Sequence, residues 1–159
     1  MARLQVNPPT PIRVFLVDDE PVVRRGLRLL FSAKPSLEVC GEAGSEHAAL
    51  EGILASRPDL AVVDLSLKEG DGLALIKQLH RLRPALKILV FSMHEQAHFA
   101  TAAFAGGAHG YIIKEEGADR VLEAIQVVMN GRRYLSEQIL ARAPGLMAHT
   151  GHRSRKPAR

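Results

Sequence analysis

The sequence predicts an α/β fold: a doubly wound parallel sheet with helices on both faces. Four short runs have the character of buried strands, at 12–17, 60–63, 88–91 and 111–113. Three of these four runs are almost entirely apolar. Parallel strands that are covered on both faces lack the polar alternation of half-exposed strands. Helical patterns fill the stretches between these runs, so strand and helix alternate five times, which favours an open parallel sheet.

The strand order follows from the one candidate strand that carries polar residues. The run at 37–43 alternates more than the others, which suits the edge of a sheet. We therefore expect the order 2-1-3-4-5, the flavodoxin-like (βα)5 arrangement. Amphipathic patterns predict five helices, the first starting at Pro21 and the others at about 46–55, 72–82, 95–105 and 118–130.

These boundaries divide the chain into an N-terminal extension (1–11), a folded domain (12–131) and a basic C-terminal tail (132–159) with a short helix at 134–143. The tail alone carries a net charge of +6, more than the +4 of the whole chain, because residues 12–131 are net negative. Such a tail can contact nucleic acid or an acidic surface. Because it lacks interleaved aromatic residues, we expect a solvated, flexible end from residue 144 onward.

Composition excludes several classes of protein. A single cysteine, Cys40, cannot form an internal disulfide, which fits a reducing compartment. No apolar run approaches the roughly 18 residues of a membrane helix, and the N-terminus lacks the apolar core of a signal peptide. Aromatic residues make up 4% of the chain and tryptophan is absent, which argues against base-stacking platforms. We expect a cytoplasmic protein without membrane contact.

Polar residues follow the predicted core strands at their carboxyl ends. The first strand is followed by Asp18-Asp19-Glu20, the third by Asp64, and the fourth and fifth end at Ser92 and Lys114. In open parallel sheets, ligands bind beyond the carboxyl ends of the strands where the strand order reverses, here between the first and third strands. Several carboxylates, a hydroxyl and an amine should therefore meet at one edge.

This set of groups has a chemical logic. Carboxylates that lie a few ångströms apart repel each other unless a cation joins them, and Mg²⁺ prefers hard oxygen ligands. The carboxylate of Asp64 can then attack phosphorus and form an acyl phosphate. The metal, Lys114 and Ser92 would hold the phosphoryl oxygens while charge redistributes.

Five short stretches together resemble the receiver domain of two-component response regulators over roughly residues 11–131. They are Val-Asp-Asp-Glu (17–20), Val-Val-Asp-Leu-Ser-Leu (62–67), Gly-Asp-Gly-Leu (70–73), Phe-Ser-Met-His (91–94) and Gly-Tyr-Ile-Ile-Lys (110–114). Each is weak alone, but their order and spacing make a strong signal. Phe-Ser-Met-His and the Tyr-Leu-Ser at 134–136 resemble the LuxR/NarL subfamily.

The resemblance implies a role for each matching residue. It implies that Asp64 is the phosphoacceptor and that Mg²⁺ is held by Asp18, Asp19, Asp64 and the backbone carbonyl of Ser66. Ser92 and Lys114 would bind the phosphoryl group, and Tyr111 would be the aromatic residue whose rotamer follows Ser92. Two positions depart from the family pattern, since Lys68 and Glu115 stand where the family often has proline.

The resemblance also implies a partner and an output. A histidine kinase would donate the phosphoryl group, and the face made by the fourth helix, fifth strand and fifth helix would transmit the change. We expect a regulator rather than a classical enzyme.

LuxR/NarL-type regulators usually continue into a helix-turn-helix domain, for which too few residues follow 131. We therefore expect a stand-alone receiver. The alternative is the receiver part of a DNA-binding transcriptional regulator, with DNA contact through a further domain or the tail. A homodimer through the fourth and fifth or first and fifth helices stays open.

A competing motif is His94-Glu95-Gln96-Ala97-His98, which matches the zinc-protease pattern H-E-x-x-H. On a helix, two histidines four residues apart share one face, and Glu95 could activate a water molecule. The pattern is short, and no compelling third ligand follows it, because His109 lies eleven residues further on. A zinc metalloprotease is the less favoured alternative.

Overall fold

The computed structural model describes residues 9–147 of the chain. Six parallel strands form one sheet in the order β2-β1-β3-β4-β5-β6. Their bounds are β1 Ile12–Val17, β2 Leu37–Ala43, β3 Leu60–Val63, β4 Lys87–Ser92, β5 Gly110–Ile113 and β6 Tyr134–Leu135. The predicted order 2-1-3-4-5 is confirmed, and one further strand extends it beyond β5.

Helices connect successive strands and cover both faces of the sheet. Their bounds are α1 Pro21–Ser32, α2 Glu46–Ser56, α3 Gly72–Leu82, α4 Ala97–Gly106, α5 Asp119–Met129 and α6 Glu137–Arg142. Local chemistry explains several starts. Pro21 occupies the first turn of α1, and the side chains of Ser45 and Asp71 accept hydrogen bonds from backbone N–H groups in the first turns of α2 and α3.

The strands of the sheet centre are buried because two separate cores lie against them. Within β1, Phe15 and Val17 face one core while Val14 and Leu16 face the other. The first core contains buried residues of α2, α3 and α4, and the second contains those of α1 and α5. Every residue of β3 and β5 is buried, which accounts for their continuous apolar sequences. The polar strand β2 lies at an edge, as predicted.

The segment after α5 differs from the expectation of one helix at 134–143 followed by a flexible end. Residues 134–135 pair with β5 as strand β6, and the helix starts only at Glu137. Ser136 extends this edge, because its N–H donates to the carbonyl of Tyr111 and its Oγ accepts from the N–H of Ile113. An exposed β5 edge would leave these groups without protein partners, so pairing competes successfully with helix formation.

The same segment continues onto the first core. Leu135 and Ile139 are buried there, and Leu140, Leu146 and Met147 pack against its surface. The expected flexible end does not start at residue 144, since a 3-10 turn covers Pro144–Leu146. The basic residues 153–159 and most of the N-terminal extension lie outside the described residues.

No helix within residues 9–147 has both the length and the apolar character needed to cross a bilayer.

Candidate functional site

The carboxyl ends of the central strands bring the predicted polar residues together. Val17 of β1 pairs with Val63 of β3, so Asp18 and Asp64 follow neighbouring strands at the same level. Ser92 ends β4, and Lys114 follows β5 directly. Asp18, Asp64 and Ser92 are the buried polar residues of this edge, each at most 4% exposed. Burial of these groups requires that each has a partner.

Lys114 is the partner of the two buried aspartates. Its Nζ lies 2.7 Å from Oδ2 of Asp18 and 3.0 Å from Oδ2 of Asp64, with Oε1 of Glu20 at 3.7 Å. Eight per cent of the lysine side chain is exposed, so solvent screens this network weakly. The amine of Lys114 thus lies between the carboxylates that the sequence placed on two different loops.

Four carboxylates form a cluster that can hold a metal ion. Asp18, Asp19, Glu20 and Asp64 each offer an oxygen, and these oxygens lie within 4.8 Å of one another. An all-oxygen, anionic donor set suits a hard divalent cation better than zinc or copper. The cluster includes Glu20, which the sequence analysis did not name as a ligand, although the contiguous Asp-Asp-Glu at 18–20 was a signal for it.

The pKa values reflect this crowding. Burial, the largest effect, raises the pKa of Asp64 above its usual 3.8, while the contacts with Lys114 act in the opposite direction. Burial would lower the pKa of Lys114, but hydrogen bonds and charge attraction from Asp18 and Asp64 outweigh it and raise that pKa. Lys114 therefore stays protonated, and the Asp64 carboxyl is a stronger base than an exposed aspartate.

The loop after β3 wraps closely around Asp64. The N–H of Ser66 donates to Oδ1 of Asp64 at 3.1 Å, and the N–H of Lys68 donates to Oδ2 of Asp19 at 3.2 Å. Gly72 begins α3 so close to this loop that a Cβ would clash with the backbone of Asp64 and Leu65. The second glycine of the Gly-Asp-Gly stretch therefore serves the site by allowing close approach of the backbone.

The loop after β4 contacts both predicted switch residues, Ser92 at the end of β4 and Tyr111 in β5. Oγ of Ser92, which is fully buried, accepts a hydrogen bond from the N–H of His94 at 3.2 Å. Tyr111 is also fully buried, and its hydroxyl donates to the carbonyl oxygen of His94 at 2.7 Å. Burial raises the pKa of Tyr111 to about 12, so the hydroxyl keeps its proton and acts as a donor.

The structure contradicts the zinc-protease alternative. Because α4 begins at Ala97, His94 and Glu95 precede the helix, and the histidines do not have helical spacing. The ring of His94 instead contacts Ser66 and stacks on Phe99. Nδ1 of His109 accepts a hydrogen bond from the N–H of Ile88. Within residues 9–147, the side chains that lie close enough together to hold a metal ion are those of the carboxylate cluster.

Comparison with known proteins agrees with this geometry. The family model of the response regulator receiver domain matches residues 14–126. The transcriptional activator DevR/DosR of Mycobacterium tuberculosis is 38% identical over 130 residues, which cover 82% of this chain and 60% of that protein. The nitrate/nitrite response regulator NarP of Escherichia coli is 34% identical over 132 residues, with the same two coverages. The chain spans about 60% of the length of these two relatives.

Solved structures give the same result. A LuxR-family two-component response regulator from Aurantimonas sp. superposes with a TM-score of 0.79 at 34% identity, covering 83% of this chain and 94% of the other. The receiver domain of a NarL response regulator from Mycobacterium tuberculosis gives 0.73 at 30% identity, covering 78% and 100%. The chain therefore belongs to the response regulator receiver family, with relatives of the LuxR/NarL type.

Proposed function

We propose that Asp64 accepts a phosphoryl group from the phosphohistidine of a histidine kinase in a Mg²⁺-dependent reaction. The observation that carries this proposal is the joint burial of Asp64 with Asp18 around the amine of Lys114, beside two further carboxylates. A structural ion pair needs one acid, whereas this edge gathers four. Excess negative charge of this kind fits a site that takes up a divalent cation and then a phosphoryl group.

Mg²⁺ would be held by the side chains of Asp18, Asp19 and Asp64 and by the backbone carbonyl of Ser66. When bound, it neutralises negative charge on the carboxylates and the phosphoryl oxygens. The donor set supports this ion, because it offers oxygen alone and lies at a rim where water can complete the coordination.

The protein groups have separate tasks in the transfer. A carboxylate oxygen of Asp64 attacks phosphorus, the new P–O bond forms as the P–N bond of the phosphohistidine breaks, and the electron pair of that bond stays with the imidazole. Lys114 is a fixed cation that pairs with the phosphoryl oxygens. Ser92 offers the hydroxyl that bonds a phosphoryl oxygen, because its Oγ accepts from the N–H of His94 and can still donate its own proton.

The output follows from the charge that the phosphoryl group adds, up to about −2. A shift of Ser92 toward this charge would disturb the loop that also holds Tyr111, and so change the face of α4, β5 and α5. Two populations of this face would then exchange, and phosphorylation would favour one of them. The β5 side of that face already carries β6 and α6, so this segment belongs to the surface that responds.

We further propose that the chain acts in the cytoplasm as a regulator rather than as a classical enzyme. One relative, DevR/DosR, is a DNA-binding transcriptional activator. Control of transcription by this chain would need a DNA-reading domain, or DNA contact by the basic residues of 132–159. The chain could also form a homodimer, which a measurement of its oligomeric mass before and after phosphorylation would reveal.

A phosphorylation assay with Asp64→Asn and Asp59→Asn tests the central proposal. Asp59 precedes the opposite end of β3, where its carboxylate accepts the N–H of Arg13, so it is a matched control. With acetyl phosphate and Mg²⁺, the wild type and Asp59→Asn should gain one phosphoryl group by intact mass. Chelation of Mg²⁺ should prevent the gain, and Asp64→Asn should show none. Equal uptake by Asp64→Asn would overturn the proposal.

A further inference from the structure

His94 has no role in the phosphoryl transfer described above, yet both its backbone and its ring contact other residues of the site. Through its backbone, His94 donates its N–H to Oγ of Ser92 and accepts the hydroxyl of Tyr111. Through its ring, it lies 2.6 Å from Oγ of Ser66 and stacks on Phe99 with the ring centroids 4.0 Å apart. His94 thus joins the loop after β3, the loop after β4, strand β5 and helix α4.

The two sets of contacts depend on each other. Ser92 and Tyr111 are buried, and both form hydrogen bonds with the backbone of residue 94. The positions of their hydroxyl groups therefore depend on the position of that backbone. Residue 94 itself lies before the first turn of α4, in a stretch without regular secondary structure. The contacts of its ring with Ser66 and Phe99 hold it there.

Ser66 makes this link specific to the phosphorylation site. Its N–H donates to the carboxylate of Asp64, so the residue that anchors the His94 ring is also bonded to the phosphoacceptor. Two hydrogen bonds therefore connect Asp64 to the backbone that positions Ser92 and Tyr111. They run through Ser66 and the imidazole of His94.

We propose that His94 is a positioning residue, whose imidazole bond to Ser66 holds Ser92 and Tyr111 in register with Asp64. This inference rests on the proposed function, because it gives Ser92 its place relative to the incoming phosphoryl group. It predicts that breaking the Ser66–His94 hydrogen bond weakens the binding of a phosphoryl group without altering the carboxylates, Lys114 or the backbone of the loop.

Two substitutions break this hydrogen bond from opposite sides. His94→Phe keeps an aromatic ring to stack on Phe99 but has no ring nitrogen, and Ser66→Ala keeps the backbone groups of residue 66. His98→Phe is the matched control, because the ring of His98 also packs on Phe99, at 4.2 Å between centroids, from within α4. The double variant His94→Phe/Ser66→Ala completes a double-mutant cycle.

The measurement is the affinity of the full chain for beryllofluoride, a phosphoryl mimic, in excess Mg²⁺. The chain has two tyrosines and no tryptophan, so in a Tyr134→Phe background the emission reports on Tyr111 alone. Each single variant should lose affinity by about 2- to 10-fold, the range expected from one neutral hydrogen bond. The double variant should lose no more than either single variant, and His98→Phe should bind as the parent does.

Three results would overturn the inference: unchanged affinity of both single variants, losses that multiply in the double variant, or an equal loss in His98→Phe. Far-ultraviolet circular dichroism identifies a variant that fails to fold, and Ser66→Ala, a small change at an exposed position, then decides alone. Failure of the proposed function is distinguishable, because in that case the parent protein itself would not bind beryllofluoride.

Discussion

The site has two halves that are built from different interactions. The acidic half consists of Asp18, Asp19, Glu20, Asp64 and Lys114, and ion pairs of 2.7–3.7 Å join Asp18, Glu20 and Asp64 to the amine of Lys114. The switch half, made of Ser92, His94 and Tyr111, is held by hydrogen bonds to the backbone of a loop. Both halves lie at the same edge of one sheet, and each has buried members, which are Asp18 and Asp64 in the acidic half and Ser92 and Tyr111 in the switch half.

The contrast shows how chemistry and response can be separated within one small domain. Buried charges with few partners are strongly destabilised when one partner is lost, so the acidic half resists rearrangement. Neutral hydrogen bonds contribute little net free energy, so the switch half can exchange one partner for another. We infer that the acidic half performs phosphoryl transfer and that the switch half reports it.

The largest expected effect comes from removing the cation of the acidic half. Lys114→Met leaves Asp18 and Asp64 buried without their shared partner, and loss of one member of a buried ion pair costs about 3–5 kcal/mol. Urea denaturation in a chelator should show this decrease in the free energy of unfolding, and added Mg²⁺ should recover part of it. Lys87→Met, at the opposite end of the sheet, is the control. A decrease of the same size in that control would refute the contrast between the two halves.

The second prediction concerns the charge of Asp64 itself. Burial raises its pKa above 3.8, so ionising this carboxyl opposes folding in the metal-free protein. This cost is absent below pH 3.8, where the carboxyl is protonated in both states, and it grows as the pH rises through the higher folded-state pKa. Asp64→Asn, which cannot ionise, should therefore unfold with a higher free energy than the wild type at neutral pH in a chelator.

A pH series of urea denaturation curves checks the sign of this effect. The difference between Asp64→Asn and the wild type should appear as the pH rises above 3.8 and then level off. Saturating Mg²⁺ should reduce it, because the metal stabilises the ionised carboxylate. A variant that is less stable than the wild type at neutral pH would show that the contacts with Lys114 outweigh burial.

A smaller effect is expected from the switch half. Ser92→Ala removes the hydroxyl that we propose bonds the phosphoryl group, and a hydrogen bond to a charged group corresponds to roughly 10- to 100-fold in affinity. Beryllofluoride titration, read from Tyr111 in the Tyr134→Phe background, measures this loss. Acetyl phosphate should still label Asp64. Ser56→Ala, whose hydroxyl donates within α2, is the control, and equal affinities of the two variants would exclude the role of Ser92.

The smallest effect is expected at Tyr111. Tyr111→Phe keeps the buried ring and removes the bond from its hydroxyl to the carbonyl of His94, which should lower the free energy of unfolding by about 0.5–1.5 kcal/mol. Phosphate uptake by Asp64 should persist, as intact mass would show. Tyr134→Phe is the control, because its hydroxyl bonds the exposed Glu123. Loss of phosphate uptake in Tyr111→Phe would place Tyr111 in the acidic half.

Much of the site was readable from the sequence. Asp18, Asp64, Ser92 and Lys114 each follow or end a buried strand, and parallel strands bring their carboxyl ends to one edge. The family resemblance is confirmed by the receiver-domain match. The contacts of His94 were not predicted, because the H-E-x-x-H pattern suggested a helix where the chain has a loop, and local spacing does not reveal which distant ring or hydroxyl a loop residue meets.

The sequence by itself determined the order of strands and helices and the chemical identity of the groups at the sheet edge. Hydrophobic pattern and strand polarity are local properties, so they can be read from the sequence without knowledge of the fold. Only the tertiary structure decided that Lys114 lies between two carboxylates, that Glu20 joins them, and that residues 134–135 pair with β5. Those outcomes depend on distances between segments far apart in the chain and on which unpaired groups compete for the same edge.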